Sequence, residues 1–216
     1  AASDVYKRQS MERCFRSFQG TMADYDAVIC ANDFTAISLV RNLLAAYPQE
    51  LERLLIIGCA ETCLTEYYSP YILSIRVNFQ EYGKAAVTLL ENLKRNPYLS
   101  HAVMSIRWDF SPLTSLRKLD GGARDSSPAS IPESRDIFYQ DTELSGMLRL
   151  ERMLNECDSL DREIIECLLR EESYDSISES CFVTVSTIKY RVKKMIGTAE
   201  AADRRDLIRL LREYLP

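Results

Sequence analysis

The stretch CFVTVSTIKYRVKKM, Cys181 to Met195, decides the fold of the last part of the chain. It holds four basic residues and no acidic residue, although the whole chain has a formal net charge of −5. Val183 and Val185 alternate as in a β-strand, but the apolar residues then recur at i, i+4, i+7 and i+8, which is one stripe of an α-helix. The members of that stripe are Ile188, Val192, Met195 and Ile196. The spacing predicts an amphipathic helix with Thr184 as its N-cap.

The polar residues of this helix fall on the face opposite the apolar stripe. They are Ser186, Tyr190, Lys193 and Lys194, flanked by Thr187 and Lys189. Upstream, LDREIIECLLREE (160–172) is typical of an amphipathic helix and SYDSISESCF (173–182) of a short helix that ends in a turn. Two helices joined by a short turn, the second basic on its outer face, predict a helix-turn-helix that places its second helix in the DNA major groove.

These residues resemble the DNA-binding domain of the LuxR (GerE) family over about residues 159–215. The resemblance implies an all-α helix-turn-helix domain that binds double-stranded DNA, with a homodimer formed through the last helix, DLIRLLREYL (206–215). It departs from the family at Ser178, where Ala is usual, and at Arg191, where His is usual. We expect Ser186, Thr187 and Tyr190 to contact base edges, and we count the N-cap residue Thr184 among the DNA-binding residues. For phosphate contacts we expect Lys189, Lys193 and Lys194.

The front of the chain alternates strand-like and helix-like segments. YDAVICAND (25–33), LERLLIIGCAET (51–62) and YILSIRVNF (71–79) read as strands, and HAVMSIRWDF (101–110) as a last one. FTAISLVRNLLAAYP (34–48) and QEYGKAAVTLLENLKRNP (80–97) show helical spacing and end at Pro48 and Pro97. Strands and helices in this order predict an α/β fold with a mainly parallel sheet.

This part resembles the effector-binding domain of the LacI/GalR repressors, which is similar to periplasmic sugar-binding proteins, from about Tyr25 to Phe110. The resemblance implies a partial, periplasmic-binding-protein-like domain for a small-molecule effector such as a sugar, with Asn32, Asp33 and Glu61 as its binding residues. A ligand carboxylate of that family is replaced here by Ala60. The alternative reading of Asn32 and Asp33 is simple helix capping.

The charge distribution supports separate parts with different partners. Residues 1–120 hold 13 basic and 13 acidic groups, residues 133–179 hold 5 and 14, and residues 184–216 hold 8 and 4. We expect a non-native start at residues 1–9 and a partial effector domain at 10–117 that lacks its upstream half and therefore exposes apolar surface. A Gly-, Pro- and Ser-rich linker at 118–136 then leads to the DNA-binding domain at 137–216.

Composition limits the other classes of function. Seven cysteines without a CxxC pair favour reduced thiols in the cytoplasm over disulfides or a zinc site. No apolar run approaches the ~18 residues of a membrane span. With one histidine, His101, and no glycine-rich phosphate loop or nucleophile elbow, we expect no enzyme, cofactor or metal. The remaining alternative to DNA binding is a protein-interaction module that contacts RNA polymerase through the basic helix.

Overall fold

The computed structural model describes residues 11–110 and 142–216, which form a mixed α/β structure. The elements of the first range are α1 (Met11–Phe18), β1 (Ala27–Ile29), α2 (Asp33–Ala46), β2 (Leu55–Cys59), α3 (Cys63–Glu66), β3 (Ile72–Arg76), α4 (Phe79–Arg95) and β4 (Asp109–Phe110). The elements of the second range are α5 (Thr142–Asn155), α6 (Ser159–Leu169), α7 (Tyr174–Ser180), α8 (Val185–Thr198) and α9 (Arg204–Tyr214).

The strands form a small sheet in the order β1-β2-β3-β4. β1 and β2 pair in parallel, as do β2 and β3, so that Ile56 lies beside both Val28 and Ile72. Helices α2 and α3 provide the crossovers that parallel neighbours require. The expectation of a mainly parallel sheet is therefore confirmed.

The last strand is much shorter than the sequence predicts. Within residues 101–110, Asp109 and Phe110 alone pair with β3, and they do so antiparallel, with Asp109 opposite Arg76. Continuing this ladder back through residues 101–108 would need partners after Arg76, but α4 begins at Phe79. The predicted strand over 101–110 is wrong for 101–108 because no neighbouring strand continues there to pair with it.

Helix α2 supplies most of the apolar packing against the sheet. Ala36, Ile37, Val40 and Leu43 are completely buried, as is Ile56 of β2. In contrast, no residue of α4 is buried. The exposed apolar side chains of α4 include Phe79, Val87 and Leu90. The sequence predicts exposed apolar surface in this part of the chain, and α4 carries such surface.

The helices of the second range pack against the α/β part, and the buried apolar residues of both form one continuous cluster. The Glu151 carboxylate on α5 accepts hydrogen bonds of 2.8 Å from the backbone N–H groups of Cys63 and Leu64, at the start of α3. The Tyr68 hydroxyl donates to the backbone carbonyl of Tyr214 over 2.6 Å. The expected domain boundaries, the linker at 118–136 and the expected non-native residues 1–9 lie outside the described residues.

Within the described ranges, no helix combines the length and apolar character needed to cross a membrane.

Candidate nucleic-acid interface

A tight turn fixes where α8 begins. The backbone N–H of Val183 donates to the Ser178 carbonyl over 3.1 Å, which closes the end of α7. The Thr184 hydroxyl then accepts from the backbone N–H of Thr187 over 3.2 Å and caps α8, as the sequence predicts. The chain thus turns within residues 181–184 and presents a second helix against the first.

The inner face of α8 packs in the hydrophobic core. Ile188, Val192 and Met195 are buried, at 0%, 0% and 3% exposure. These are three of the four stripe positions found in the sequence, and they pack in the cluster that also contains Ile177 of α7; the fourth, Ile196, is half-buried against it. Their burial fixes which residues of α8 face solvent.

The outer face of α8 presents polar and basic side chains at helical spacing. Ser186, Lys189, Tyr190 and Lys193 stand at i, i+3, i+4 and i+7 and are all exposed. Tyr190 is 71% exposed although its ring is large and apolar. Helix α8 contains no acidic residue. We call these four residues the α8 face. It offers hydroxyl groups, an aromatic ring and two cations on one surface.

Three residues that the sequence predicts to bind DNA have a bonding partner within the protein. Thr184 and Thr187 bond to each other through their hydroxyl oxygens, 3.0 Å apart, as part of the helix cap. The Lys194 ammonium lies 3.3 Å from the Glu156 carboxylate, and both side chains are about half exposed. An exposed ion pair of this kind is weak, so Lys194 retains much of its freedom to bind elsewhere.

Arg191 has a structural role that the sequence pattern does not reveal. Its Nη1 lies 2.8 Å from a carboxylate oxygen of Asp158 and 2.8 Å from one of Asp161. These two aspartates form the capping box at the start of α6. Hydrogen bonds to Asp161 and Asp158 raise the pKa of Arg191, and the hydrogen bond from Arg191 lowers the pKa of Asp158. Arg191 therefore fixes α8 against α6 and turns inward from the α8 face.

Phe182 is a second residue that sequence reasoning missed. It lies in the turn before α8 with φ of 54° and is 94% exposed. A bulky residue rarely adopts this left-handed conformation, which costs about 1–2 kcal/mol. The signal in the sequence is the turn after α7, where the left-handed position usually carries Gly or Asn and this chain has Phe.

The first of the expected effector-binding residues, Asn32, caps α2. Its side-chain oxygen accepts from the Thr35 backbone N–H over 2.9 Å and from the Thr35 hydroxyl over 3.1 Å. This is the capping arrangement that the sequence leaves open as the alternative.

Asp33 is completely buried, and protein groups satisfy its carboxylate. One oxygen accepts from the Thr62 backbone N–H and from the Thr65 hydroxyl, each over 2.9 Å, and the other accepts from the Ser74 hydroxyl over 2.7 Å. Gly58 makes room for it, since a Cβ there would lie 2.3 Å from Asp33 Oδ1. An effector would have to displace these donors to reach the carboxylate.

Glu61 lies close to Asp33 through Ser74 but directs its carboxylate elsewhere. Its backbone N–H donates to the Ser74 hydroxyl over 2.9 Å, and its carboxylate pairs with the Arg76 guanidinium at both oxygens. Asn32, Asp33 and Glu61 are thus near one another at the carboxyl ends of the strands. Each carboxylate is already engaged by protein donors.

The cysteines show neither disulfides nor a reactive cluster. All seven are free thiols, and burial raises the pKa of Cys30 to about 12. Across residues 11–110 and 142–216, no three or more His, Cys, Asp or Glu side chains are placed to hold a metal ion.

Comparisons with protein-family models, with curated proteins and with solved structures found no match to this chain.

Proposed function

We propose that this protein is a ligand-responsive transcription regulator that binds double-stranded DNA through α7 and α8. The observation that carries the proposal is the α8 face. A helix that packs on one side through Ile188 and Val192 and offers Ser186, Lys189 and Lys193 on the other has the width and chemistry of a major-groove reader. In this role, Lys189 and Lys193 contact phosphates, while Ser186 and Tyr190 reach base edges.

The packing of α5 supports a regulatory link between the two parts of the chain. At one side, Glu151 caps the start of α3, which together with its N-cap Thr62 supplies two of the three donors to the buried Asp33 carboxylate. At the other side, the Arg152 guanidinium pairs with Glu200, just after α8, over 2.6 Å. A ligand that shifts α3 therefore acts on a helix in direct contact with the end of α8. A small-molecule effector and a homodimer, as the two family resemblances imply, complete the proposal.

The test is binding of the full chain to a fluorescent mixed-sequence duplex, followed by anisotropy across a salt series. Each phosphate contact contributes about 0.9 to the slope of log K against log salt. Lys189→Ala/Lys193→Ala is expected to weaken binding and to reduce the slope by about one to two. The matched control is Lys84→Ala/Lys94→Ala, which removes the same charge from exposed positions on α4.

The two double variants separate a specific contact from a general effect of charge. Retention of the wild-type slope by the α4 variant, with a reduced slope in the α8 variant, supports the proposal. Equal reductions in both variants contradict a contact by α8. No binding at low salt by correctly folded wild-type protein refutes the DNA-binding function and leaves a protein partner, such as RNA polymerase, for the same face.

A further inference from the structure

A groove on the outer side of α9 collects arginine side chains. Its volume is about 450 Å³, within the range of roughly 300–1,000 Å³ that small-molecule sites occupy. We call it the arginine groove; it is lined by Glu171, Arg204, Arg205, Ile208, Arg209 and Arg212. Four guanidinium groups against one carboxylate make its lining strongly positive in a chain of net charge −5.

Two of these arginines are held in place by the protein. The Arg204 guanidinium lies over the Tyr174 ring, 4.8 Å from its centroid, and donates to the Glu172 carbonyl. The Arg212 guanidinium donates to the Leu169 carbonyl over 2.9 Å and pairs with the Glu171 carboxylate over 2.6 Å. Because backbone carbonyls and an aromatic ring fix both groups, little side-chain entropy remains to be lost when an anion binds.

The other two arginines keep their charge available. Within the described ranges, Arg205 makes no hydrogen bond or ion pair, and it is exposed. Arg209 pairs with Asp206 on its own helix, and its side chain is 79% exposed, so this pair is weak. In addition, the Nε of Arg204 is buried and has no hydrogen-bond partner in this part of the chain. The groove thus contains fixed guanidinium groups beside others that can move onto a ligand.

We propose that the arginine groove binds a phosphorylated small molecule. Guanidinium groups recognise phosphate oxygens through paired, charge-assisted hydrogen bonds, and several around one concave site suit a compact anion of high charge. The DNA backbone is the alternative occupant of this groove, and the salt slope of DNA binding distinguishes the two. This site is separate from the α8 face and goes beyond the proposed DNA-binding function.

The experiment is isothermal titration of the full chain with inorganic pyrophosphate at low salt. We expect one site per chain, with Arg205→Gln/Arg209→Gln weakening the affinity at least about tenfold, since charge-assisted hydrogen bonds to the anion are lost. The control is Lys189→Gln/Lys193→Gln, which removes the same charge from the α8 face and is expected to bind pyrophosphate like the wild type. Circular dichroism checks that both variants keep the helical content of the wild type.

Each alternative outcome overturns the proposal in a recognisable way. No heat with wild-type protein excludes a phosphate site. Equal losses in the arginine and lysine variants indicate nonspecific attraction of anions. A DNA-binding salt slope that falls in the arginine variant as much as in the lysine variant assigns the groove to the DNA backbone. An unchanged slope together with lost pyrophosphate binding is the expected result, and it is independent of whether α8 binds DNA.

Discussion

Replacing Arg191 with glutamine tests whether the link between α8 and α6 stabilises the protein. The Arg191 side chain is 26% exposed and its partner Asp161 only 10%, whereas Asp158 is 56% exposed. A charged hydrogen bond to a buried partner contributes about 1.5–3 kcal/mol, and an exposed pair adds little. We therefore expect Arg191→Gln to lower the free energy of unfolding by about 2–3 kcal/mol, or Tm by roughly 5–10 °C.

The assay is urea denaturation followed by circular dichroism, with Arg152→Gln as the control. Arg152 also bridges two elements, but its side chain and that of Glu200 are about 60% exposed, so we expect a loss below about 1 kcal/mol. Arg191→Lys keeps the charge and should fall between wild type and Arg191→Gln. A loss in Arg191→Gln no larger than in Arg152→Gln would refute the reasoning.

The pH dependence of the same variant provides an independent check. Arg191 holds the pKa of Asp158 below its usual value of 3.8, so the unfolded chain binds a proton more readily than the folded chain. The share of the stabilisation that the pair with Asp158 contributes is therefore complete at neutral pH and is lost as pH falls below about 4. The difference in stability between wild type and Arg191→Gln should shrink between pH 7 and about pH 3.5. A difference that stays constant or grows with acid would contradict the ionic origin of the effect.

Three further substitutions, one of them a control, test the packing of a helix and the strain of a turn by urea denaturation. Gly146→Ala should destabilise by about 1–2 kcal/mol, because its Cβ would lie 2.3 Å from the Tyr214 hydroxyl and overpacking outweighs the gain in helix propensity. Gly197→Ala is its control, since nothing lies within 4 Å of the new Cβ. It should stabilise the protein by about 0.5–1 kcal/mol because Ala has the higher helix propensity. A lower free energy of unfolding for Gly197→Ala would contradict this use of helix propensity. Phe182→Asn should stabilise by about 1 kcal/mol, because Asn tolerates a φ of 54° and little buried area is lost; an unchanged or lower midpoint would contradict strain at this turn.

The features predicted correctly from the sequence are those fixed by near neighbours. The apolar stripe of α8 and its Thr184 cap follow from the spacing of residues within a few turns of one helix. The capping by Asn32, which the sequence offers as the alternative to effector binding, is also local, because its partner Thr35 is three residues away. Such contacts depend on local geometry, which a single sequence displays directly.

What the sequence determined by itself was the kind of each segment: a mainly parallel α/β part, then helices, with a cationic face on α8. Only the tertiary structure decided which polar side chains are bonded to other parts of the protein and which are free to bind a ligand. Arg191 turned out to hold aspartates 30 and 33 residues away, and Glu151 to cap α3 across 87 and 88 residues. The tertiary structure also buried Asp33 and left residues 101–108 without a strand partner. Periodicity assigns a residue to a face of its own element, but its hydrogen-bond partners depend on which distant elements pack against that face.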